Sequence, residues 1–119
     1  MGDINEIGPL VAGAFAHPEL AGHGEHLPLV GDFLSFNDVI ATLNRQGHTL
    51  SFKQVPKDVF AGWFPGAKEI AEMLAYFEAF TYLGGDSHAA IELANRVSGH
   101  QPTKFAAWAK SHFAIAKAA

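Results

Sequence analysis

Apolar residues recur every three or four positions along most of the chain, which predicts a series of amphipathic helices. The first helix follows Asp3, a typical N-cap residue. Its apolar positions are Ile4, Ile7, Leu10, Val11, Ala14 and Phe15. Pro18 closes it, and residues 18–25 have the composition of a loop. Ser35 with Asp38 forms a capping box for a second helix, which ends near Gly47 because glycine favours the left-handed cap position.

The same spacing predicts further helices in the second half of the chain. A short helical turn over residues 57–61 leads into the loop 62–66, and a long helix follows until Gly84 and Gly85 stop it. Asp86 or Ser87 caps the next helix, and Thr103 caps the last one. The predicted core positions of the three longer helices are Ile70, Met73, Leu74, Phe77 and Phe80, then Ala90, Leu93, Ala94 and Val97, then Phe105, Trp108, Ala109 and His112.

Two segments have the pattern of strands rather than of helices. His26–Val30 is a short apolar segment between Gly24 and Gly31, and His48–Val55 alternates apolar and polar residues until Pro56. A strand, a helix and a strand with short links predict a βαβ unit, whose strands lie parallel. The predicted fold is therefore α/β and helix-rich, with roughly 60% helix. One βαβ unit with a short parallel strand pair packs against several helices, in a single domain spanning 1–119.

Composition and charge exclude several classes of function. The net charge is −4, and the eight Lys and Arg are scattered from Arg45 to Lys117, so no basic face is available for nucleic acid or an anionic membrane surface. No apolar run approaches the roughly 20 residues that span a bilayer, and no secretion signal opens the chain. The chain has no cysteine, which excludes a disulfide framework and a thiol nucleophile. We expect a cytoplasmic protein.

Several short motifs, in their order and spacing, resemble the last third of NmrA-like proteins, a family of atypical short-chain dehydrogenase/reductase folds. The matching stretches are Asp3-Ile4-Asn5-Glu6-Ile7-Gly8, Leu27-Pro28-Leu29-Val30-Gly31, Leu34-Ser35-Phe36-Asn37-Asp38-Val39, Phe52-Lys53-Gln54-Val55-Pro56, Phe64-Pro65-Gly66-Ala67-Lys68-Glu69 and Phe105-Ala106-Ala107-Trp108-Ala109. The resemblance covers nearly the whole chain and implies the C-terminal, substrate-side portion of such a protein.

The resemblance also implies an N-terminal Rossmann half that carries a glycine-rich phosphate loop, and this sequence contains no such loop. Its only G-x-G, at residues 22–24, lacks the third glycine and follows a loop. The Tyr and Lys pair, four residues apart, that many relatives use for proton transfer is absent, since Phe80 and Asp86 stand four residues after Tyr76 and Tyr82. We therefore expect no catalytic residue and no bound cofactor in this chain alone. NAD(P) would bind only if a Rossmann half were supplied.

Aromatic residues provide the candidate binding site. The candidates are Trp63, Tyr76, Phe60, Phe64 and Tyr82. The family resemblance implies that this region lines a small-molecule cleft, whereas the alternative is an ordinary aromatic core. Phe77 and Phe80 are assigned to the core. His23, Glu25 and His26 could suggest zinc, but their spacing is wrong for a helical two-histidine site, so solvated loop histidines and no metal site are expected.

The leading hypothesis is a non-catalytic module that binds a small apolar or aromatic ligand or a protein partner. The alternative is a fragment or subunit of an NAD(P)-dependent oxidoreductase whose Rossmann half lies on another chain or was removed. A third hypothesis is a structural element without a ligand. Apolar surface left open at Ile7, Val11, Phe15 and the Trp63 loop predicts a homodimer, unless a Rossmann-domain partner covers it.

Overall fold

A computed structural model describes residues 1–114, and 61% of the structure is helical. The helix-rich character is therefore as predicted. The α-helices of these residues are α1 Ile7–Ala16, α2 Pro18–Ala21, α3 Phe36–Arg45, α4 Lys57–Ala61, α5 Ala67–Phe80, α6 Ser87–Ser98 and α7 Phe105–His112. Single 3-10 turns precede α1 and α6, at Ile4–Glu6 and Gly84–Asp86.

The α/β class was wrong, because residues 1–114 contain no strand and no sheet. Within the predicted strand His26–Val30, Pro28 has no backbone N–H to donate to a ladder. The amides that follow it, those of Gly31 and Asp32, donate instead to the Met1 carbonyl oxygen at 2.7 and 3.1 Å. The segment thus has no strand partner and forms no part of a βαβ unit.

The second predicted strand, His48–Val55, fails for a different reason. The Asn44 side chain bonds to both backbone groups of Leu50: its Nδ2 donates to the Leu50 carbonyl at 2.9 Å, and its Oδ1 accepts from the Leu50 amide at 2.8 Å. A strand would use these same groups to pair with a neighbouring strand. An asparagine at the end of α3 therefore satisfies this backbone locally and takes the place of the ladder.

Several helix ends follow the sequence prediction. The Asp3 carboxylate accepts the Asn5 amide at 3.0 Å, and Ser35 and Asp38 exchange the two bonds of a capping box. Gly47 has the predicted positive φ, 96°. One segment differs from its predicted structure. Residues 18–21, expected as loop, form the single-turn helix α2, since proline is well suited to a first helical position.

The described chain consists of two compact units. Unit 1 contains Met1–Phe52 and the segment from Ala90 onward, and unit 2 contains Lys53–Ala89. In unit 1 the core forms where α1 meets the second half of α6, and its buried members are Leu10, Ala94 and Val97. Gly13 permits this contact, because a Cβ at that position would lie 2.1 Å from the Val97 carbonyl oxygen.

Two carboxylates hold the segment between α6 and α7 in unit 1. Glu6 Oε1 accepts the Thr103 amide at 2.8 Å, and Asp32 Oδ2 accepts the Phe105 amide. Lys104 Nζ donates to the Gly31 carbonyl at 3.0 Å and lies 3.6 Å from Asp32 Oδ1. The predicted cap by Thr103 is therefore wrong. The first amide of α7 is satisfied by a carboxylate distant in sequence.

Unit 2 is built on a helical hairpin of α4 and α5. Ala67 and Ala71 are the buried positions of α5, and Lys57 Nζ forms an ion pair with Glu72 Oε2 at 2.6 Å. Gly66, with φ of 88°, turns the chain into α5. The helix ends at Phe80, before the predicted stop at Gly84 and Gly85, because Thr81 adopts a φ of 62° and its N–H donates to the Phe77 carbonyl.

Candidate functional site: an aromatic hairpin

The predicted site residues all lie in unit 2, in two groups of rings that we name together the aromatic hairpin. The loop group, between α4 and α5, consists of Phe60, Trp63 and Phe64. The helix-end group, around the end of α5, consists of Tyr76, Phe77, Phe80 and Tyr82. The ring contacts found lie within each group. The structure therefore brings the candidates together as two clusters on one hairpin.

The loop group is centred on Phe60, which is half-buried. Its ring centroid lies 5.2 Å from that of Trp63, at an interplanar angle of 49°, and 5.8 Å from that of Phe64, at 78°. These are tilted and edge-on arrangements, which aromatic quadrupoles favour. Trp63 is 58% exposed and Phe64 is 45% exposed. Phe60 thus supports two rings that each present about half of their surface to solvent.

The backbone of the loop fixes these rings. The Trp63 amide donates to the Phe60 carbonyl at 3.0 Å, and the Ala67 amide donates to the Phe64 carbonyl at 3.1 Å. These bonds join consecutive turns between α4 and α5, and the ion pair of Lys57 with Glu72 links the two helices. The indole is therefore exposed on a loop whose backbone is hydrogen-bonded rather than open.

In the helix-end group, Tyr76 lies 5.0 Å from Phe80 between ring centroids, and Phe77 lies 5.3 Å from Tyr82. Phe77 is half-buried, but Phe80 is 59% exposed, so its assignment to the core was wrong. Alanine residues fill the buried positions of α5, and several of its large side chains, Phe80 among them, are exposed. The spacing of apolar residues alone could not show which face of α5 is buried.

The Tyr82 ring is positioned by the turn that follows α5. Thr81 Oγ1 donates to the Gly84 carbonyl at 3.0 Å, and the buried Ser87 hydroxyl donates to the same carbonyl at 2.7 Å. Ser87 Oγ also accepts the Leu83 amide at 3.2 Å. These hydrogen bonds hold the turn between α5 and α6. Sequence reasoning chose Ser87 only as a cap and missed its role in this turn.

The hairpin chemistry is that of contact rather than of acid–base catalysis. Exposed rings can stack on or cover apolar groups, and the hydroxyls of Tyr76 and Tyr82 can donate or accept hydrogen bonds. The polar groups around the rings pair with one another: Lys57 with Glu72, and Gln54 Nε2 with Glu78 Oε1 at 3.3 Å. The arrangement is suited to an apolar partner with a few polar contacts.

A second exposed apolar surface lies on α1 in unit 1, and we call it the α1 stripe. Its members are Ile7, Val11 and Phe15 of α1, with Ile4 of the preceding 3-10 turn. Phe15 is 85% exposed, whereas Leu10 of the same helix is buried. The prediction that Ile7, Val11 and Phe15 are left open is confirmed. No charged residue stands between Glu6 and Glu19 to make this surface polar.

One buried carboxylate was missed from the sequence. Glu6 stands three residues after Asp3, where a capping-box acid is expected, yet it accepts the Thr103 amide instead. Hydrogen bonding from the Thr103 side chain lowers the pKa of Glu6; burial opposes this, and the Thr103 amide and the His100 charge add to it. Glu6 Oε2 makes no hydrogen bond within the described residues, although His100 Nε2 lies 3.0 Å away.

Residues 1–114 contain no cluster of three or more potential metal ligands. In the loop of His23, Glu25 and His26, Glu25 Oε2 accepts the His23 amide at 3.1 Å. The helices of this part of the chain are also too short or too polar to cross a membrane.

The described residues thus form a helix-rich fold with exposed aromatic side chains on the hairpin of α4 and α5. The NmrA-like family model matches residues 1–109, and the chain therefore belongs to the NmrA-like family. It is a relative of NAD(P)-binding proteins. Comparison with curated proteins and with solved structures gives no significant match.

Proposed function

We propose that this chain is a non-catalytic binding module of the NmrA-like family, and that the aromatic hairpin is its contact surface for an apolar partner. The observation that carries the proposal is the exposure of Trp63, 58%, on a hydrogen-bonded loop. Within the family the chain corresponds to the C-terminal, substrate-side portion of an atypical short-chain dehydrogenase/reductase fold. We place it in the cytoplasm, since a chain without cysteine requires no oxidising compartment.

The exposure of the rings supports contact because it costs free energy in the isolated chain. Burying a large aromatic side chain stabilises by roughly 25 cal/mol for each Å² of apolar surface removed from water. Trp63, Phe64 and Phe80 forgo much of this gain in the unit that we describe. A partner that covers them recovers it. Tryptophan and tyrosine are also the residues most enriched among the energetic centres of protein interfaces.

The loop geometry supports contact in a second way. An exposed side chain loses conformational entropy when a partner immobilises it, about 0.5–1.5 kcal/mol for a flexible one. Trp63 packs on Phe60, and its backbone is hydrogen-bonded, so part of that ordering is already present in the free chain. A surface ordered in advance binds with less entropic loss.

Self-association is the form of partner binding that can be measured first. We expect light scattering at several concentrations to give the mass of one chain when dilute and to rise toward that of two chains. A two-fold arrangement is the commonest outcome for an exposed apolar surface. Trp63→Ala should raise the dissociation constant about 30-fold, the effect of losing an interface centre worth about 2 kcal/mol.

The matched variant is Phe15→Ala, which removes an aromatic ring from the α1 stripe instead. Both side chains are mostly exposed, so neither substitution should lower the thermal midpoint by more than a few degrees. If Trp63→Ala alone weakens the dimer, the hairpin is the contact surface. A mass of one chain that persists at high concentration refutes the proposal, as does a dimer that only Phe15→Ala disrupts.

The second candidate function is a subunit or fragment of an NAD(P)-dependent oxidoreductase, with the dinucleotide-binding half elsewhere. The α1 stripe favours it, because an uncharged apolar helix face is what a packed domain would cover. In this case the stripe contacts a Rossmann half. The stripe belongs to the motif that begins at Asp3. In the family that the chain resembles, this motif follows directly after the dinucleotide-binding half.

The two functions differ in a mixing experiment. The dinucleotide-binding half of an NmrA-like protein is titrated with NADPH by calorimetry, alone and with an excess of this chain. If the chain is an enzyme subunit, it tightens NADPH binding, and Val11→Asp in the α1 stripe abolishes the effect. If it is a separate binding module, the chain leaves the NADPH affinity unchanged.

A further inference from the structure

A second site lies in unit 1, distinct from the aromatic hairpin. A cavity of about 250 Å³ opens between the N-terminal residues and the start of α7. The residues that line it are Met1, Gly2, Asp3, Thr103, Phe105 and Trp108. Two aromatic side chains and a methionine thus face one carboxylate, which is the composition of a small-molecule site: mostly apolar, with few polar groups.

The aromatic wall of the cavity is a stack of rings along α7. Phe105 and Trp108 are half-buried, and their ring centroids lie 6.3 Å apart at an interplanar angle of 23°. Trp108 stacks in turn on His112, at 5.2 Å and 14°. The His112 ring therefore helps to hold the Trp108 ring in place. Aromatic side chains that line a cavity are suited to an aromatic ligand.

The frame around the cavity is held by hydrogen bonds. Asp32 accepts the Phe105 amide, Glu6 accepts the Thr103 amide, and the Met1 amino group donates to the Asp32 carbonyl at 2.8 Å. These bonds fix the backbone on both sides of the opening. The cavity is thus preformed, as small-molecule sites usually are.

The carboxylate of Asp3 supplies the polar contact. Both of its hydrogen bonds within residues 1–114, from the amide and the side-chain Nδ2 of Asn5, end on Oδ1 at 3.0 Å. Oδ2 remains available to a donor from a ligand. An N–H group on a ligand is therefore the matching donor for this oxygen.

We propose that this cavity binds a flat aromatic molecule of one or two rings that carries a single N–H donor toward Asp3. The volume sets the size, because a cavity of about 150 Å³ lined by apolar side chains accommodates benzene. The rings lie against Phe105 and Trp108, and the N–H points to Asp3 Oδ2. This site does not depend on the function of the hairpin.

Indole and 1-methylindole are the probes, since they differ only in the N–H. Each is titrated into the whole chain labelled with ¹⁵N. We expect indole to move the amide signals of Thr103 and Phe105 and the side-chain N–H of Trp108 with saturation, while the side-chain N–H of Trp63 stays in place. 1-Methylindole should bind about tenfold more weakly, because it cannot donate to a charged acceptor.

Asp3→Asn tests the polar contact and keeps the helix cap, since asparagine caps as well as aspartate. It should weaken indole about tenfold and leave 1-methylindole unchanged, whereas the control Asp58→Asn, an exposed carboxylate of α4, should change neither. The proposal is overturned if indole gives no saturable shifts up to millimolar concentration, if the shifts centre on Trp63, or if the two probes bind equally.

Discussion

The closest approach between α1 and α6 gives a sharp test of the fold of unit 1. Gly13→Ala adds one methyl group at the point where α1 meets the backbone of α6. The new Cβ would lie 2.1 Å from the Val97 carbonyl oxygen and 2.9 Å from the Ser98 Cα, against 3.4 Å or more for an ordinary contact. These are backbone atoms, which cannot rotate away, so the helices must separate by more than 1 Å at this point.

The magnitude follows from the core beside the contact. Leu10, Ala94 and Val97 are nearly fully buried there, and separating the helices loosens all three. Overpacking of this kind costs typically about 3 kcal/mol at its upper range. Alanine recovers about 1 kcal/mol of helix propensity relative to glycine, which leaves a loss of about 2 kcal/mol. At roughly 4 °C for each kcal/mol, the thermal midpoint falls by about 8 °C.

The matched control is Gly8→Ala in the same helix. A Cβ on Gly8 has no neighbour within 4 Å. The propensity gain of about 1 kcal/mol is offset there by the clash of a side chain with the following proline, Pro9. Circular dichroism melts of both variants supply the assay. If Gly13→Ala has the same thermal midpoint as Gly8→Ala, the close packing of α1 on α6 is refuted.

Two further predictions concern the Glu6 carboxylate, which accepts the Thr103 amide, and the capping box of Ser35 and Asp38. The pKa of Glu6 is lower in the folded chain than in the unfolded chain. The ionised Glu6 therefore stabilises the fold fully at a pH above its unfolded pKa, and this stabilisation is lost as the pH falls through its folded pKa. Glu6→Gln should therefore cost about 2 kcal/mol at pH 7 in urea unfolding and progressively less below pH 4.5; an equal cost at every pH contradicts this. Ser35→Ala should cost about 1 kcal/mol, and a midpoint unchanged in the same assay contradicts the cap.

The sequence predicted local structure better than it predicted which backbone groups pair between distant segments. The capping residues Asp3 and Ser35 were identified because their bonds run to amides two or three residues away. The strands were wrong because their evidence was an apolar pattern, whereas a ladder needs a partner strand with free backbone groups. Pro28 already argued against the first strand, because proline has no backbone N–H to donate to a ladder. The bonds from Asn44 to Leu50 were not visible in any periodicity.

The candidate site shows the same limit. The rings of Trp63 and Phe64 contact that of Phe60, as their separation of three and four residues in the sequence allows, whereas their role as a binding site stays a prediction. The exposure of Phe80 could not be predicted, because the small residues Ala67 and Ala71 form the buried face of its helix. The clamp of Glu6 on Thr103 joins residues 97 positions apart, and only the folded chain reveals it.

The central claim, a binding module that does not itself hold the dinucleotide, is tested most directly by calorimetric titration of NADPH into this chain alone. The phosphates of such a cofactor need a glycine-rich turn at the start of a helix, and residues 1–119 contain no such motif. We predict no saturable heat up to millimolar NADPH. A dissociation constant in the low micromolar range would contradict the account.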